Sequence, residues 1–379
     1  MRRLLSFLVT FLICSVLHAE FINIGVFASK KINSFDFSVR AGKYALFTES
    51  GKIKELESKA TLSVKYIDGF LEVKENGELI GKYRKVNLIG VGWYNHFMVK
   101  STNPQGLERR FDDNLKIIAQ RNKMQLINNL DLDNYVAGVV EAEVGRKPPK
   151  EYFKLQAIIC RTYALANTEK HIVDGYNLCD EVHCQAYHGK TFFNNIVEAA
   201  MQTRGAVIVD SDIQLITAAF HSSCGGQTVN SEDVWSKSLY YLRSVKDTFC
   251  LSHKDALWQK EIDKKEWKNY LTARLPNTIS EKQYMNFSIN ERLKYFPESQ
   301  LSFEELRGKF RLRSTYFNIQ ETENKVLLKG RGFGHGVGLC QIGAMEMASL
   351  GYNYSEILHF YYSGVHIIDL SALDFFKED

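Results

Sequence analysis

The sequence predicts a mixed α+β fold, in which a β-rich N-terminal region precedes a domain of helices and short strands. From residue 21 to about residue 128, polar and apolar residues alternate, which is typical of half-buried strands. After Asp131, apolar residues recur at spacings of three and four, which is typical of helices. The 379 residues are 45% hydrophobic and 24% charged, with 5 prolines, so the chain is ordinary globular material.

The first residues have the pattern of a secretory signal peptide. Arg2 and Arg3 precede an apolar run over residues 4–17, which is too short to span a bilayer comfortably. Ala19 offers a small residue for cleavage. We therefore expect a signal peptide over residues 1–19 and export to the periplasm or cell envelope.

A lipoprotein leader is the alternative interpretation. Cys14 suggests it, although Ile13 stands where a small residue would be expected. Loss of residues 1–19 removes two arginines, so the net charge falls from +4 to +2. Because the remaining basic residues are not clustered, no nucleic-acid partner is expected.

The N-terminal region over residues 20–106 is predicted to be a scaffold or docking module. Residues 60–86 alternate in polarity around Asn76-Gly77, a strong hairpin signal. Residues 114–130 read as two further strands joined by a polar turn. The sequence before Asp131 contains no catalytic constellation.

Two helices are predicted next. The first runs from about residue 134 to residue 144, with Asp131 or Asp133 as its N-cap and Gly145 as its stop. The second runs from about residue 150 to residue 168 and follows a Lys-Pro-Pro break.

The rest of the chain alternates between helices and strands. We predict a short helix near 195–202, a hairpin over 206–223, charged helical segments over 253–300, a helix over 301–310, a strand over 327–336, helices over 340–351 and 354–362, and a last strand over 365–370.

Glu143 stands where an apolar residue is expected. It follows Val136, Val139 and Val140 by seven, four and three residues, so it belongs to the buried stripe of its helix. Glu141 is rotated by roughly 200° from that stripe and can face water. Burial and the negative end of the helix dipole should raise the Glu143 pKa, which suits a general acid. A buried glutamate paired with an arginine is the structural alternative.

Arg161 could supply that partner. It lies in a weakly polar part of the second helix, close to Gln156. A buried arginine needs either Glu143 or an anionic or polyhydroxyl ligand, and a structural role alone would also explain it.

Residues 330–344, GRGFGHGVGLCQIGA, contain six glycines around His335. They match neither the dinucleotide fingerprint G-x-G-x-x-G nor the phosphate loop G-x-x-x-x-G-K-[ST]. A nucleotide site is therefore not expected, and a plain tight turn is the simplest reading of the glycines alone.

Six separated segments together resemble the SpoIID/LytB family of sporulation stage II protein D. They are LDNYVAGVVEAEVG, KLQAIICRTYALA, CQAYHG, TRGAVIVDSDIQLITAAFHSSCGGQT, DVW and the glycine-rich stretch. The resemblance implies a SpoIID-like catalytic domain over residues 107–379, with a glycan-binding cleft between the Glu143 helix and the glycine loop. It also implies lytic transglycosylase activity on peptidoglycan strands that lack stem peptides. A non-catalytic wall-binding enhancer of an amidase is the alternative role.

The resemblance also implies roles for individual residues. Glu143 would be the catalytic acid and Arg161 an important residue of the second helix, and the glycines would let backbone approach a sugar chain. The substrate-binding residues expected are Gln156, Gln185, Tyr187, His221, Ser222, His335 and Gln341. The chain departs from the family pattern after the acid, where Val144-Gly145 replaces Met-Pro, and at Cys340, where serine is usual.

A zinc site is one expectation for the loop that follows the second helix. His171, Cys179 and Cys184, with His183 as a fourth candidate, offer zinc ligands, although their spacing is a weak match to common zinc motifs. Export makes a Cys179–Cys184 disulfide a serious alternative. Catalysis itself is expected to need no cofactor.

A second pair of cysteines is expected to be bridged. In the family, the segment between Cys224 and Cys250 folds back across the core, which favours a disulfide worth about 3 to 4 kcal/mol. Cys160 and Cys340 are expected to be buried free thiols.

Two other enzyme classes are disfavoured. A zinc hydrolase is disfavoured because thiolate-rich sites are more often structural. A serine hydrolase using Ser222 and His221 is disfavoured because adjacent residues seldom orient as nucleophile and base.

Overall fold

The computed structural model describes residues 20–375. The expected signal peptide over residues 1–19, including Cys14, lies outside the described residues. The described chain contains many helices and strands, and the predicted α+β class is confirmed. No helix within residues 20–375 is both long and apolar enough to cross a membrane.

The strands are β1 Phe21–Val26, β2 Ser34–Thr48, β3 Gly51–Leu56, β4 Thr61–Ile67, β5 Phe70–Glu75, β6 Glu78–Tyr83, β7 Lys85–Asn103, β8 Gln105–Asp112, β9 Asn114–Ala119, β10 Met124–Asp131, β11 Leu178–Cys179, β12 Ala206–Val209, β13 Phe220–His221, β14 Leu257–Asp263, β15 Phe317–Glu321, β16 Lys325–Arg331, β17 Leu339–Cys340 and β18 His366–Asp369.

The α-helices are α1 Leu132–Val144, α2 Lys150–Ala166, α3 Asn194–Gln202, α4 Ser231–Val234, α5 Lys264–Thr272, α6 Glu281–Met285, α7 Phe303–Phe310, α8 Gln341–Ser349, α9 Tyr354–Tyr361 and α10 Leu370–Phe375. Short 3₁₀ helices cover Ile172–Asp174 and Lys254–Ala256.

An 11-stranded sheet dominates the N-terminal part. Its order is β11-β1-β10-β9-β7-β2-β4-β5-β6, with β3 added to β2 and β8 added to β7. The sheet is antiparallel except where β11 pairs with β1. Strand β8 crosses the expected domain boundary at 106/107, and the sheet is therefore not interrupted there. The division into two domains stays a prediction.

The Asn76-Gly77 hairpin forms as predicted. Glu75 pairs with Glu78, which leaves the two turn residues between β5 and β6. Both turn residues have positive φ, 50° for Asn76 and 87° for Gly77, as a tight two-residue hairpin requires.

Helix α1 begins and ends close to the predicted residues. The Asp131 side chain accepts hydrogen bonds from the backbone N–H groups of Asp133 and Asn134, so Asp131 is the N-cap. Gly145, with φ 69°, ends the helix. The apolar face of α1 packs with α2, α3 and the large sheet in one core.

Two further cores lie in the C-terminal half. The first packs α2 against α8, α9 and the chain around the glycine loop. The second packs α5, α6 and α7 against the sheet β14-β16-β15.

Two of the element predictions were wrong in part. Residues 257–263 form a strand that pairs with β16, although the charged sequence of 253–300 indicated helix. The hairpin predicted over 206–223 is reduced to one bridge between Val209 and Leu215, because β12 pairs instead with β18.

Candidate active site

Glu143 lies in the last turn of α1, half-buried and within reach of one backbone donor. The N–H of Ala186 donates to Oε1 of Glu143 at 3.0 Å. Burial raises the pKa of Glu143, while the Ala186 hydrogen bond and the nearby His188 oppose that rise. A carboxyl group held in this way favours its protonated form more than an exposed glutamate does.

Glu141 points to a different side of the helix. Its carboxylate pairs with Arg146, with 2.5 Å between Oε1 and the terminal guanidinium nitrogen. Arg146 is exposed, so this pair lies at the surface. The helical spacing predicted that Glu141 would face away from Glu143. Glu141 is therefore not a second carboxylate beside the acid.

The segment over residues 185–189 crosses α1 at close range and brings Ala186 to the acid. A Cβ on Gly138 would lie 2.5 Å from the carbonyl oxygen of Gly189 and 2.6 Å from the Tyr187 ring, so only glycine permits this approach. His188 is exposed and faces the Glu143 side. Sequence reasoning missed His188, although it lies inside the quoted segment CQAYHG.

Arg161 does not pair with Glu143. Its guanidinium donates to Oδ1 of Asp133 at 2.6 and 3.0 Å, and to the carbonyl oxygens of Ala200 and Ala206. Arg161 is 1% exposed, so it ties α1, α2, α3 and β12 together and has no surface for a ligand. Of the alternatives left open for Arg161, pairing with Glu143 does not occur, because Asp133, at the other end of α1, meets this part of α2.

Three of the expected substrate-binding residues are also buried. Gln156 and Tyr187 are 0% exposed, and Gln185 is 2% exposed. The Gln156 amide lies within hydrogen-bond distance of Cys160, and the Tyr187 hydroxyl donates to Asn128 at 3.1 Å. These three side chains present almost no surface to solvent, and their expected role in substrate binding stays a prediction.

His335 is held in one orientation by two backbone groups. Its Nδ1 accepts from the N–H of Val337 at 3.0 Å, so Nε2 carries the proton and donates to the carbonyl of Phe220 at 3.0 Å. Burial lowers the pKa of His335 to about 4. The ring lies between Trp235 and His221, at 5.5 Å from each.

His221 is buried beneath His335. Its Nδ1 donates to the carbonyl of Val337 at 3.1 Å, and its buried Nε2 has no hydrogen-bond partner within residues 20–375. Burial holds its pKa well below the usual range, so it is neutral. With 4% of its surface exposed, His221 packs against the glycine loop, and its expected role in substrate binding stays a prediction.

Ser222 and Gln341 retain partial exposure, as their expected binding role requires. The Ser222 carbonyl accepts from the N–H of Ile342, which joins the chain before the glycine loop to the start of α8. The Gln341 Nε2 is buried without a hydrogen-bond partner among the described residues.

The glycines around His335 are explained by protein packing. A Cβ on Gly338 would lie 2.2 Å from the carbonyl oxygen of Ala219, and one on Gly336 would lie 2.5 Å from the Arg292 guanidinium. Both have positive φ, 70° and 86°. Arg292 is buried and donates to the carbonyl of Cys224 at 2.7 Å. It comes from the 253–300 region, in which the sequence indicated no role at this site.

The expected zinc ligands converge in the loop after α2. His171, Cys179, His183 and Cys184 place one ligand atom each within 4.8 Å of one another. The facing Nε2 atoms of the two histidines are 3.2 Å apart. Four nitrogen and sulfur ligands at zinc bond lengths would be separated by about 3.3 to 3.8 Å in a tetrahedron, so this donor set fits zinc.

Two features support this loop from outside the cluster. His171 Nδ1 lies 2.8 Å from the Asp174 carboxylate, which directs Nε2 toward the cluster as outer carboxylates do in metal sites. Asp180 is 4% exposed and accepts from Arg109 at 2.6 Å and from the backbone N–H of Phe27 at 2.7 Å. Asp180 thus anchors the loop to the large sheet.

A second cluster brings together Cys224, Cys250, Cys340 and Asp247, all fully buried. The Sγ atoms of Cys224 and Cys250 are 3.3 Å apart and unbonded, so the expected disulfide stays a prediction. Cys340 is part of this cluster, and the backbone N–H of Cys224 donates to its Sγ. Cys160 and Cys340 are both free and buried, as expected, although Cys340 lies in this cluster and Cys160 lies elsewhere in the core, beside Gln156.

Comparisons with known proteins show what this chain is similar to. The family model for stage II sporulation protein matches residues 120–209, which contain α1, α2 and the segment that crosses the acid. An uncharacterized protein of Brachyspira hyodysenteriae is 29% identical over 303 residues, covering 76% of this chain and 81% of that protein. Stage II sporulation protein D of Bacillus subtilis is 28% identical over 301 residues, covering 72% and 85%.

A third relative carries a different name. The amidase enhancer of Bacillus subtilis is 30% identical over 283 residues, covering 60% of this chain and 39% of the enhancer. The similarity thus reaches less than half of that longer protein. Taken with the family model and the sporulation proteins, these matches support the resemblance of this chain to the stage II sporulation protein D family.

Proposed function

We propose that this protein is a lytic transglycosylase that cleaves peptidoglycan glycan strands and leaves 1,6-anhydro-muramic acid ends. The observation that carries the proposal is a single half-buried carboxyl group with a raised pKa. Its hydrogen-bond donor is the Ala186 N–H, and the nearest carboxylate along α1, Glu141, is turned away to Arg146. Hydrolytic glycosidases generally place a second carboxylate within about 5 to 9.5 Å of the acid.

One carboxyl group suffices when the sugar supplies its own nucleophile. Protonated Glu143 gives its proton to the glycosidic oxygen as the bond from that oxygen to C1 of muramic acid breaks. The resulting carboxylate then removes the proton of the C6 hydroxyl, whose oxygen bonds to C1 and closes the anhydro ring. No water is consumed, and Glu143 ends protonated as it began.

The surrounding residues give this carboxyl group its position. The Ala186 N–H fixes one carboxylate oxygen, and the close crossing at Gly138 fixes Ala186. His335 in the glycine loop and Gln341 at the start of α8 are partly exposed and would contact the strand, His335 through its ring, because both of its nitrogens are bonded to backbone. Arg161 acts through the packing of α1 on α2, without touching substrate.

Zinc would have a structural role here. His171, Cys179, His183 and Cys184 would hold it, and four protein ligands leave no open position for chemistry. Cys184 lies two residues before Ala186, so a closed site at this loop would fix the backbone that positions Glu143. A Cys179–Cys184 disulfide would fix the same backbone but would leave both histidines without a metal.

The second candidate role is enhancement of a cell-wall amidase. The observation in its favour is the name of the Bacillus subtilis relative, the amidase enhancer. A purely wall-binding protein would have no need for a half-buried acid, so Glu143 favours catalysis. Both roles place the protein in the cell envelope, in agreement with the leader over residues 1–19.

The test is incubation with stripped and intact peptidoglycan, with the products identified by mass. We expect 1,6-anhydro ends, faster release from stripped strands, and loss of about 10²- to 10⁴-fold in turnover for Glu143→Gln. Glu141→Gln is the matched control and should keep its activity. Reducing ends that carry oxygen from labelled water would show a hydrolase instead. Unchanged activity in Glu143→Gln would remove the proposed acid.

A further inference from the structure

Trp93 is presented to solvent by a bulge in the N-terminal sheet. Strands β2 and β7 pair on both sides of it, with Ala41 opposite His96 and Lys43 opposite Val91. The four residues 92–95 of β7 are therefore opposed by Gly42 alone. Trp93 lies in this bulge and is 97% exposed, an unfavourable position for a large apolar ring.

The bulge is held firmly from beneath. Asn95 is 5% exposed, and its side chain accepts from the N–H of Lys43 at 3.1 Å and donates to the Gly92 carbonyl at 3.1 Å. Gly42 has φ +71°, and a Cβ there would lie 2.1 Å from the Asn95 side-chain oxygen. The sequence thus maintains a specific backbone shape whose outcome is an exposed tryptophan.

Trp93 begins a continuous row of rings, here called the aromatic strip, which comprises Trp93, Tyr94, His96 and Phe192. Successive ring centroids are 6.1, 5.6 and 5.7 Å apart. Tyr94 and Phe192 are 48% and 49% exposed, while His96 is buried between them. The strip therefore presents three ring surfaces to solvent.

The strip leads toward Glu143. Phe192 belongs to the same extended segment that crosses α1, and its neighbour Lys190 donates from its backbone to the carbonyl of Arg110 at 2.7 Å. His188 and Phe192 are both exposed along this segment. Ala186 contacts Glu143, and the six residues from Ala186 to Phe192 span at most about 21 Å, so Phe192 is within a few sugar units of the acid.

A cation accompanies the rings. The Arg110 guanidinium lies 5.3 Å from the centre of the Phe192 ring, and Arg110 is exposed. No carboxylate within residues 20–375 forms an ion pair with it. Lys190 also lies over the strip, 5.5 Å from the Tyr94 ring and 5.4 Å from the Phe192 ring, but it is paired with Asp112 at 2.7 Å. Arg110 is therefore the free charge of the strip.

We infer that the aromatic strip and Arg110 form an additional binding site for a glycan strand that extends from Glu143. Flat apolar ring faces suit the apolar faces of pyranose sugars. Muramic acid without its stem peptide carries a free lactyl carboxylate, which matches the charge of Arg110. This inference rests on the proposed function, because the proposed substrate supplies both features.

The test measures binding to insoluble sacculi stripped of stem peptides, with every variant made in the Glu143→Gln chain. Trp93→Ala and Phe192→Ala should each weaken binding by roughly 2- to 10-fold, from the usual size of ring contacts. Phe70→Ala is the matched control, because Phe70 is exposed on β5 with Arg84 at 5.5 Å and lies outside the strip. It should bind like the parent.

Arg110→Gln tests the charge. It should weaken binding to stripped sacculi more than to intact sacculi, in which the lactyl carboxylate is consumed in an amide bond. Equal effects on the two forms would overturn the role of Arg110.

Binding is read without turnover, so the site is tested even if no anhydro products are ever found. Parent-like binding by Trp93→Ala and Phe192→Ala would overturn the inference. Ile89 and Val91, also exposed beside Trp93, make a membrane surface the rival occupant. Loss of binding to phosphatidylglycerol vesicles in Trp93→Ala, with sacculus binding intact, would assign the strip to lipid.

Discussion

The proton on Glu143 is controlled by opposing local effects. Burial favours the neutral acid, whereas the Ala186 N–H and the nearby His188 favour the carboxylate. The first effect is the largest, so the pKa is raised and the protonated fraction persists to higher pH. A general acid benefits from this shift because it must hold a proton before the glycosidic bond breaks.

The pH dependence of cleavage should follow from this shift. We expect kcat/KM to fall as the pH rises through the raised pKa of Glu143, because the acid is then already deprotonated. The profile should be measured with stripped strands of one length. Activity that rises through the same range would indicate a carboxylate acting first as base or nucleophile.

His188→Asn should move the falling limb of this profile to higher pH. The substitution removes the imidazole that lowers the Glu143 pKa, so the acid should keep its proton up to a higher pH. The shift should be small, because burial outweighs His188. His183→Asn is an unsuitable control, since it alters the metal cluster, and the exposed His366→Asn serves instead. A limb that moves to lower pH in His188→Asn would contradict this account of the acid.

At the scale of helices and strands, the buried Arg161–Asp133 pair joins α1 to α2 and α3. Both partners are almost fully buried, and Arg204 adds a second contact to Asp133 at 2.5 Å. A buried pair is costly to break because the remaining charge has lost its partner and stays out of water. The pair therefore fixes the start of the helix that carries Glu143 in its last turn.

Arg161→Met should lower the free energy of unfolding by about 3 to 5 kcal/mol, the usual result of removing one partner of a buried pair. Urea unfolding measures this change, and Arg146→Met, which breaks only the exposed pair with Glu141, should change it by less than about 1 kcal/mol. Cleavage per folded molecule should survive in Arg161→Met at low temperature. Full stability with complete loss of cleavage would restore a catalytic role for Arg161.

The zinc expectation belongs to the same scale. Purified protein should contain about one zinc per chain, and His171→Ala should lose it, because tetrahedral sites need all four ligands. His359→Ala changes a histidine outside the cluster and should keep the metal. Zinc-free protein with Cys179 bonded to Cys184, and with full activity, would replace the metal by a disulfide.

Local patterns predicted these elements well where neighbours agreed with them. The caps of α1 and the Asn76-Gly77 turn were identified because they depend on a few adjacent residues. Strand β14 was missed because its conformation depends on pairing with β16, which lies about 65 residues further along the chain. The partner of Arg161 was missed for the same reason: helix crossing, which is absent from the sequence pattern, selects Asp133.

At the scale of the whole molecule, the site is assembled from distant parts of the chain. The acid comes from α1, the crossing segment from residues 185–192, and the glycine loop from residues 332–338. Arg292 reaches the glycine loop from the chain between α6 and α7, and its guanidinium lies against Gly336. The family resemblance indicated the loop and the acid together, but only packing explains why the loop is glycine-rich.

The predicted Cys224–Cys250 disulfide would join the chain across this assembly. Both thiols are fully buried beside Asp247 and Cys340, and export would supply an oxidising compartment. Closing the intervening loop should stabilise the protein by about 3 to 4 kcal/mol in the chain-entropy model. The native secreted protein, alkylated after unfolding without reductant, should show by mass that Cys224 and Cys250 are protected and that Cys340 is labelled.

Stability should separate this bridge from the alternatives in the same cluster. Reductant should lower the urea midpoint of the parent and of Cys340→Ser, since both keep the bridged pair. It should leave the midpoint of Cys250→Ser unchanged, because the bridge is already absent. Labelling of all three thiols, together with two metal ions per chain instead of one, would show that Cys224, Cys250, Cys340 and Asp247 bind a metal and that no bridge forms.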